Sequence, residues 1–180
     1  MVKYLNLIIV FPFLLLVISC NDNQKVNFPE MKTVEYVDIE RFMGDWYVIA
    51  NIPTFLETEA TNAIESYSLD SNGTINTTFT FFKNGPLGKK KTYKPKGFIH
   101  NKNTNAEWKM QFVWPFKMPF YIIGLDEEYS YTVIGIPSRK YVWIMARTPY
   151  IPDKTYDDIL EDLSKIGYDL KLIKKVPQIW

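Results

Sequence analysis

Alternation of large apolar residues with smaller or polar ones runs through the middle of the chain and predicts short β-strands. In residues 74–83, for example, Ile75, Phe79 and Phe81 fall on one face. The preceding Asp70-Ser71-Asn72-Gly73 suits a tight hairpin, because asparagine and glycine accept positive φ. The predicted strands cover residues 45–52, 62–69, 74–83, 92–100, a segment around Trp108, 120–125, 129–136 and 141–147. Eight short strands joined by hairpin-length links predict an all-β fold, an eight-stranded up-and-down antiparallel barrel.

A single helix is predicted after the last strand. Pro149 ends that strand, Pro152 suits the start of a helix, and Gly167 suits its C-cap. One apolar stripe runs along the predicted helix, formed by Tyr156, Ile159, Leu160, Leu163 and Ile166. We therefore expect one C-terminal α-helix packed outside the barrel, followed by a short strand or extended arm over residues 170–177.

The start of the chain has the pattern of a signal peptide. Residues 1–19 contain Lys3, no acidic residue and an apolar run that is too short and too interrupted for a spanning helix. The run ends in Val17-Ile18-Ser19-Cys20, which resembles the lipobox of bacterial lipoproteins and implies that Cys20 is acylated as the new first residue. The alternative is an ordinary secreted protein with a free thiol.

Residues 20–33 are mostly polar and predict a flexible tether between the lipid anchor and a domain over residues 34–180. Asn21, rather than an aspartate, follows the cysteine. By resemblance to enterobacterial lipoproteins this implies the outer membrane, with the domain in the periplasm. Because Cys20 is the only cysteine, its acylation leaves no disulfide and no catalytic thiol.

Composition gives no support to one class of partner and indicates the nature of the interior. Loss of Lys3 with the signal peptide leaves 20 basic residues against 20 acidic ones, so nucleic-acid binding has no compositional support. Aromatic residues make up 16% of the chain and fall mostly on alternating strand positions. Large rings are therefore expected to line the barrel interior.

Three motifs resemble the lipocalin signature in order and spacing. They are Gly44-Asp45-Trp46-Tyr47, the Tyr-x-Tyr-x-Val-Ile-Gly segment at 129–135, and Trp-Ile-Met-Ala-Arg-Thr-Pro at 143–149. The resemblance covers roughly residues 34–180 and is nearest to the bacterial outer-membrane subgroup, akin to apolipoprotein D. It implies that Arg147 lies across Trp46 and, with Gly44, closes the bottom of the barrel, a cation over an indole face. It also implies a calyx that binds lipids.

Strand parity selects the side chains expected to line this calyx. The ligand-binding candidates are Tyr67, Phe79, Phe81, Trp108, Met110, Phe112, Tyr131, Trp143 and Met145, with Ala63 and Leu69 also predicted to face inward. Methionine and aromatic walls suit acyl chains because they are apolar and adaptable. An eight-stranded barrel holds either packed side chains or one small ligand, and the alternative is that these rings fill it as a core.

The connections predicted at the open end combine apolar and cationic residues. The mouth candidates are Phe55, Lys89, Lys90, Lys91, Trp114 and Phe116, and Arg139 and Lys140 lie in a further loop of this end. Such a rim is expected to grip an acyl chain while its cations meet an anionic head group near a membrane surface. The alternative is solvated lysines with a homodimer contact through the Trp114 loop.

Glu65 conflicts with an apolar interior. Its parity with Tyr67 points it inward, where an unpaired carboxylate is costly and tends to be protonated or paired. It binds the polar group of a ligand, or a bulge turns it outward, and the second interpretation is preferred here.

The function predicted from these residues is a lipid-anchored protein that binds, stores or transports hydrophobic ligands such as fatty acids or lysophospholipids in the cell envelope. The alternatives are a structural envelope lipoprotein that binds nothing and, less favoured, an enzyme of the lipocalin type. His100 is the only histidine and no Gly-x-Ser-x-Gly motif is present, so no catalytic residue, metal site or cofactor is predicted.

Overall fold

The computed structural model describes residues 28–180. Its elements are, in chain order, α1 (Ile39–Phe42), β1 (Gly44–Ile52), β2 (Ala60–Leu69), β3 (Thr74–Lys83), β4 (Lys89–Tyr93), β5 (Lys96–Ile99), β6 (Glu107–Val113), β7 (Phe116–Leu125), β8 (Tyr131–Gly135), β9 (Val142–Ala146), α2 (Asp153–Lys165), a 3-10 turn (Leu170–Leu172) and β10 (Lys174–Lys175). Over this part of the chain no helix has the length and apolar character needed to cross a membrane. The predicted signal peptide and Cys20 lie outside the described residues.

The strands form a closed antiparallel barrel. Hydrogen-bonded neighbours follow the order β1-β2-β3-β5-β6-β7-β8-β9, with β4 paired to β3, and β1 also pairs with β9, which closes the cylinder. The predicted fold class is confirmed: the barrel has eight strand positions, one of which is divided into β4 and β5, and α2 packs against its outer surface. β10 adds a short antiparallel contact to β1, where an extended arm or short strand was predicted.

The divided strand leaves a seam in the upper barrel wall. Pro95 separates β4 from β5, because proline has no N–H group to donate to the ladder. β5 pairs with both β3 and β6, whereas β4, within the described residues, pairs only with β3. The barrel is therefore hydrogen-bonded all the way round near its closed end, and its wall is interrupted between β4 and β6 near the open end.

The third connection at the open end is shorter than the sequence suggests. β7 begins at Phe116, where the sequence prediction placed its start at residue 120. Val113 pairs with Phe116, so Trp114 and a cis Pro115 alone form the turn. The prediction of a longer loop was wrong because Pro119 sits in β7 opposite Lys109 and does not interrupt the strand pairing there.

Helix α2 covers a second apolar layer outside the barrel. Its residues Ile159 and Leu163 are buried against Ile144 and Val133 of the barrel wall, as the predicted stripe requires. The amides of Gly167 and Tyr168 donate to the carbonyls of Ser164 and Leu163, which is a Schellman end. Gly167 adopts φ +95°, so the predicted C-cap is observed.

Residues 28–33, which the sequence analysis assigns to the tether, lie against the domain. Met31 is buried in the layer under α2, and the amide of Val34 donates to the carbonyl of Ile122. Arg139 donates to the carbonyl of Pro29 and lies over the ring of Phe28. The domain therefore begins before residue 34, and the rest of the predicted tether, residues 20–27, lies outside the described residues.

Candidate functional site

The open end of the barrel contains a cavity of about 450 Å³. Its walls come from the β1–β2 connection, the β4–β5 junction, the β6–β7 hairpin and the residue that precedes β9. The residues that line it are Thr54, Phe55, Leu56, Tyr93, Lys94, Pro95, Met110, Phe112, Val113, Phe116, Lys117, Met118 and Tyr141. This volume lies in the range of small-molecule sites, and the lining is mostly apolar with a few polar groups.

The cavity is located at the seam in the barrel wall. Tyr93, Lys94 and Pro95 come from one side of the gap between β4 and β6, and Met110 and Phe112 come from the other. The cavity therefore extends across the gap between these strands. Another cavity, of about 470 Å³, lies beside β10. Its lining includes the exposed charged residues Glu59 and Lys174 and the buried Glu57, which suit an apolar ligand poorly.

Large apolar side chains project into solvent around the cavity. Phe55, Trp114 and Phe116 are 83%, 82% and 76% exposed, and Leu87 at the β3–β4 turn is fully exposed. Exposed apolar residues concentrated at one end indicate a surface that meets another apolar surface. Phe55, Trp114 and Phe116, which the sequence predicted for the mouth, lie in connections at the open end of the barrel.

The lysines that border the cavity are not those predicted. Lys94 and Lys117 line it, whereas Lys89, Lys90 and Lys91 form the first part of β4 and are not among its lining residues. The β3–β4 turn ends at Gly88, so the three predicted lysines belong to a strand that extends beyond the cavity. Arg139 is buried and donates to backbone carbonyls, which removes it from the rim.

Two of the predicted calyx residues line the cavity, and most of the others lie below it. Met110 and Phe112 are part of the lining, although Phe112 is 39% exposed and belongs to the mouth rather than the deep calyx. The predicted residues that are buried in the barrel core are Tyr67, Phe79, Phe81, Trp108, Trp143 and Met145.

Aromatic contacts hold the lower barrel together. Trp108 lies between Tyr67 and Phe120, with ring centroids 5.8 and 5.7 Å away, and Phe42 of α1 lies 5.4 Å from Trp108. Centroid separations of 4.5–7 Å are typical of favourable aromatic pairs. The lower half of the barrel is thus a packed core, and the open space is near the mouth.

One parity prediction was wrong. Tyr131 faces α2 rather than the interior, because Thr132 and Ile134 are the inward residues of β8. Alternation of residue types defines two faces of a strand but does not determine which of them faces the core. Leu69 keeps the parity of Tyr67 and pairs with the buried Ile75, but it is the last residue of β2 and is 45% exposed.

Glu65 faces the barrel interior, so the preferred interpretation of the sequence was wrong. The register shift in β2 lies between Thr61 and Ile64, before Glu65, and leaves it on the same face as Tyr67. Tyr67 donates its hydroxyl hydrogen to the carboxylate. Burial raises the pKa of Glu65 to about 7; the bond from Tyr67 lowers it and the charge of Glu57 adds to the rise.

Glu57 is a second buried carboxylate, which the sequence analysis missed. It turns inward from the β1–β2 connection and accepts hydrogen bonds from the Thr54 amide at 2.9 Å and the Trp143 indole N–H at 3.1 Å. Burial raises its pKa, and these hydrogen bonds oppose the rise. Nothing in the sequence of this short connection indicates which of its glutamates is buried. Tyr141, in contrast, could have been found by extending the parity of Trp143 by two residues.

The closed end has the geometry that the resemblance implies. The Arg147 guanidinium lies 3.8 Å from the centroid of the Trp46 indole and donates to the carbonyls of Asp45 and Arg41 at 2.9 and 2.7 Å. Gly44 has φ +95°, and a Cβ atom there would lie 3.4 Å from the guanidinium. The strand can therefore turn beneath the arginine only with little steric bulk at this position.

His100 is exposed at the end of β5, and no group of metal-binding residues is found in residues 28–180. The prediction of no catalytic residue and no cofactor stays a prediction.

Comparison with known proteins agrees with this architecture. The lipocalin-like domain family matches residues 37–178. Temperature-induced lipocalin-1 of Arabidopsis thaliana is 31% identical over 159 residues, covering 83% of each chain. Outer membrane lipoprotein Blc of Escherichia coli K12 is 30% identical and covers 76% of this chain and 77% of its own. Apolipoprotein D of Mus musculus is 28% identical, covering 83% of this chain and 82% of its own.

Solved structures support the same fold. Insecticyanin from the tobacco hornworm Manduca sexta superposes with a TM-score of 0.68 at 19% identity and covers 85% of this chain and 87% of its own. The barrel, its closed end and the matched family agree, and the chain belongs to the lipocalin family, in the subgroup that includes bacterial outer membrane lipoprotein Blc and apolipoprotein D.

Proposed function

We propose that this lipocalin binds hydrophobic small molecules, such as fatty acids or lysophospholipids, in the mouth cavity and stores or carries them in the cell envelope. The apolar cavity at the open end carries this proposal, since lipocalin relatives and a predominantly apolar lining favour the same class of ligand. Met110, Phe112 and Met118 supply adaptable walls for an acyl chain. The packed rings below form the floor and do not surround the ligand.

The rim supports uptake from a membrane surface. Phe55, Trp114 and Phe116 are exposed apolar residues at the open end, and Lys94 and Lys117 are cations beside them. Such side chains suit contact with an interface while the seam between β4 and β6 admits an acyl chain. The lysines then lie close to an anionic head group that remains at the entrance.

A titration tests the binding proposal. The complete chain, stripped of lipid, is titrated with a fatty acid and a lysophospholipid, and Phe112→Ala is compared with Tyr150→Ala, a control that alters an exposed aromatic residue after β9. Wild-type binding is expected to saturate at one ligand per chain. Phe112→Ala should weaken it about five- to tenfold through lost apolar contact, with Tyr150→Ala unchanged. Absence of binding to either ligand would favour the structural lipoprotein.

We further propose that Cys20 carries the lipid anchor and that the protein resides in the outer membrane with its domain in the periplasm. The lipobox-like sequence at residues 17–20 supports this, as does the similarity to proteins named outer membrane lipoprotein. The N-terminal peptide is expected to carry acyl chains by mass spectrometry, and Cys20→Ser is expected to leave the membrane fraction. A wild-type N-terminus without acyl chains would exclude the anchor.

A homodimer that forms through the turn at Trp114 is the alternative role of this surface. The exposure of Trp114 and Phe116 supports it. Sedimentation of the wild type and of Trp114→Ser measures it, and a concentration-dependent dimer only in the wild type is the result expected of such a contact.

A further inference from the structure

Strands β1 and β2 separate toward the open end of the barrel. They pair with each other only over residues 44–47 and 64–67, near the closed end. The remainder of β1 pairs with β9 and, close to its end, with β10, while β2 continues its pairing with β3. The C-terminal arm bridges the two strands, because the amide of Val176 donates to β1 and the carbonyl of Pro177 accepts from β2. A gap between β1 and β2 remains on the open side of this bridge.

The cavity of about 470 Å³ beside β10 lies in this gap. Its lining comes from the end of β1, the β1–β2 connection, the start of β2, the β3–β4 turn, β10 and the C-terminal arm. Three polar residues of the lining are buried, Asn51, Glu57 and Thr61, which are 3%, 4% and 5% exposed. Buried polar groups that border a cavity favour a ligand that can form hydrogen bonds with them and match their charge.

Glu57 brings a negative charge to this cavity. Its carboxylate accepts hydrogen bonds from the amide of Thr54, the indole of Trp143 and the side chain of Asn51, which are all neutral donors. The ion pairs found in residues 28–180 belong to α2 alone, so Glu57 has no cationic partner in that part of the chain. Burial raises the pKa of Glu57, and a cation close to the carboxylate would oppose this rise. A positively charged ligand group would therefore stabilise the ionised carboxylate.

Lys174 of β10 brings the opposite charge to the same cavity. It is the register partner of Asn51, and register partners place their side chains on the same face of a sheet. Since Asn51 also donates to Glu57, it lies between the two charged residues. Lys175 differs, because its ammonium lies 4.7 Å from the ring centroid of Tyr156 on α2. Lys174 is therefore the cation of this lining that is placed to meet a ligand.

A ligand that matches both charges is a zwitterion. Its ammonium would neutralise Glu57, its carboxylate or phosphate would meet Lys174, and Asn51 and Thr61 offer neutral hydrogen-bonding groups between them. A ligand with a single charge satisfies only one end of the cavity. We propose that the cavity beside β10 is a binding site for small zwitterions, with Glu57 holding the ammonium and Lys174 the anionic group.

The β1–β2 connection lies between this cavity and the mouth cavity. Residues 54–56 line the mouth cavity, whereas Pro53, Glu57 and Glu59 line the cavity beside β10. A free zwitterion and the zwitterionic head group of a lysophospholipid held in the mouth share the chemistry proposed here. Only the second source rests on the proposed function, and it requires the head group to reach past the connection. The free zwitterion is the source expected here.

A series of ω-amino acids, from β-alanine to 8-aminooctanoic acid, tests the site by calorimetric titration of the complete, lipid-stripped chain at pH 8. The series varies the distance between the two ligand charges, so one length is expected to bind best. That zwitterion should bind about tenfold or more tightly than the alkylamine or the alkanoic acid of the same length, the magnitude of one charge-assisted contact.

Two variants assign the ends of the ligand. Glu57→Gln should reduce the affinity of the best zwitterion to that of the alkanoic acid, and Lys174→Gln should reduce it to that of the alkylamine. Lys174 is exposed, so its replacement carries little risk to folding. Glu128→Gln and Lys171→Gln alter exposed residues outside the lining and should bind as the wild type does.

Lysophosphatidylethanolamine distinguishes the two sources. A site for free zwitterions predicts that Glu57→Gln leaves the binding of this lipid unchanged, whereas a head-group site predicts that Glu57→Gln and Phe112→Ala each weaken it. The site is overturned if no ω-amino acid binds more tightly than its single-charge analogues and Glu57→Gln has no effect on the lipid. Loss of lipid binding alone, with the amino-acid preference intact, would instead overturn the proposed function of the mouth cavity.

Discussion

At the residue scale, Arg147 is the clearest case of a side chain whose contacts explain its position. Replacing it with methionine keeps most of the aliphatic contact over Trp46 and removes the charge and both hydrogen bonds to the carbonyls of Asp45 and Arg41. We expect Arg147→Met to lower the free energy of unfolding by about 2–3 kcal/mol. Arg147→Lys keeps the charge but not the two-pronged donor geometry, so its free energy of unfolding should fall by a smaller amount. Urea denaturation measures the stability of both variants. Equal stability of the methionine variant and the wild type would contradict the stabilising role of Arg147.

Glu65 gives a prediction about pH and stability. Its pKa in the folded protein, about 7, lies above the ordinary value of 4.5, so the folded state binds the extra proton. The stability associated with this proton is fully present below pH 4.5 and is lost as the pH rises to about 7, by up to about 3 kcal/mol. Glu65→Gln should flatten this part of the stability profile, with Glu57 contributing a remaining slope in the same direction. An unchanged slope in the variant would show that Glu65 does not titrate in this range.

Individual residues also show how far the sequence alone can lead. The pairing of Trp46 with Arg147 follows from motifs that lie far apart in the chain but match a known family in order and spacing. The outward direction of Tyr131 does not follow, because alternation defines two faces and leaves open which one faces the core. The inward turn of Glu57 depends on contacts with Trp143 that arise only in the folded barrel.

At the scale of elements, the end of α2 depends on two features of one glycine. Gly167 has φ +95°, and a Cβ atom there would lie 2.9 Å from the Phe28 ring, whereas Gly73 has φ +81° with nothing within 4 Å. Both alanine variants introduce backbone strain of about 1 kcal/mol, and Gly167→Ala adds a steric conflict. We therefore expect Gly167→Ala to destabilise the protein more than Gly73→Ala. Equal losses of stability in the two alanine variants, measured by thermal or urea unfolding, would mean that the contact with Phe28 does not constrain the helix end.

Strand number and order were predictable from the sequence, whereas strand ends were not. Pro95 marks the break in the fourth strand position, because a proline cannot donate to the ladder. Pro119 carries the same signal and yet lies inside β7, opposite Lys109. The difference arises from pairing with neighbouring strands, which local sequence does not encode. The seam between β4 and β6, and with it the lateral side of the cavity, therefore became visible only in the structure.

At the scale of the whole molecule, a basic segment and an acidic segment lie at opposite ends of the barrel. Residues 83–94, at the open end, contain five lysines and no acidic residue, while Asp126, Glu127 and Glu128 follow β7 at the closed end. This arrangement favours an orientation with the mouth toward an anionic surface.

Charge reversal tests which lysines meet a ligand's head group. Lys94→Glu with Lys117→Glu should weaken binding of an anionic amphiphile about tenfold, because these two residues line the cavity. Reversal of Lys89, Lys90 and Lys91 should have a smaller effect that salt screens strongly. A neutral alcohol of the same chain length is the control and should bind all variants alike. A larger loss from the β4 lysines would place the head group elsewhere.

The most direct test of the central claim is native mass spectrometry of the complete chain, released from mild detergent, with identification of any extracted ligand. If the mouth cavity holds a hydrophobic ligand, the wild type should carry one such molecule per chain. Phe112→Arg, which places a charge in the lining at a partly exposed position, should carry none, and Tyr150→Arg should match the wild type. A ligand retained at the same occupancy in Phe112→Arg would contradict the location of the site.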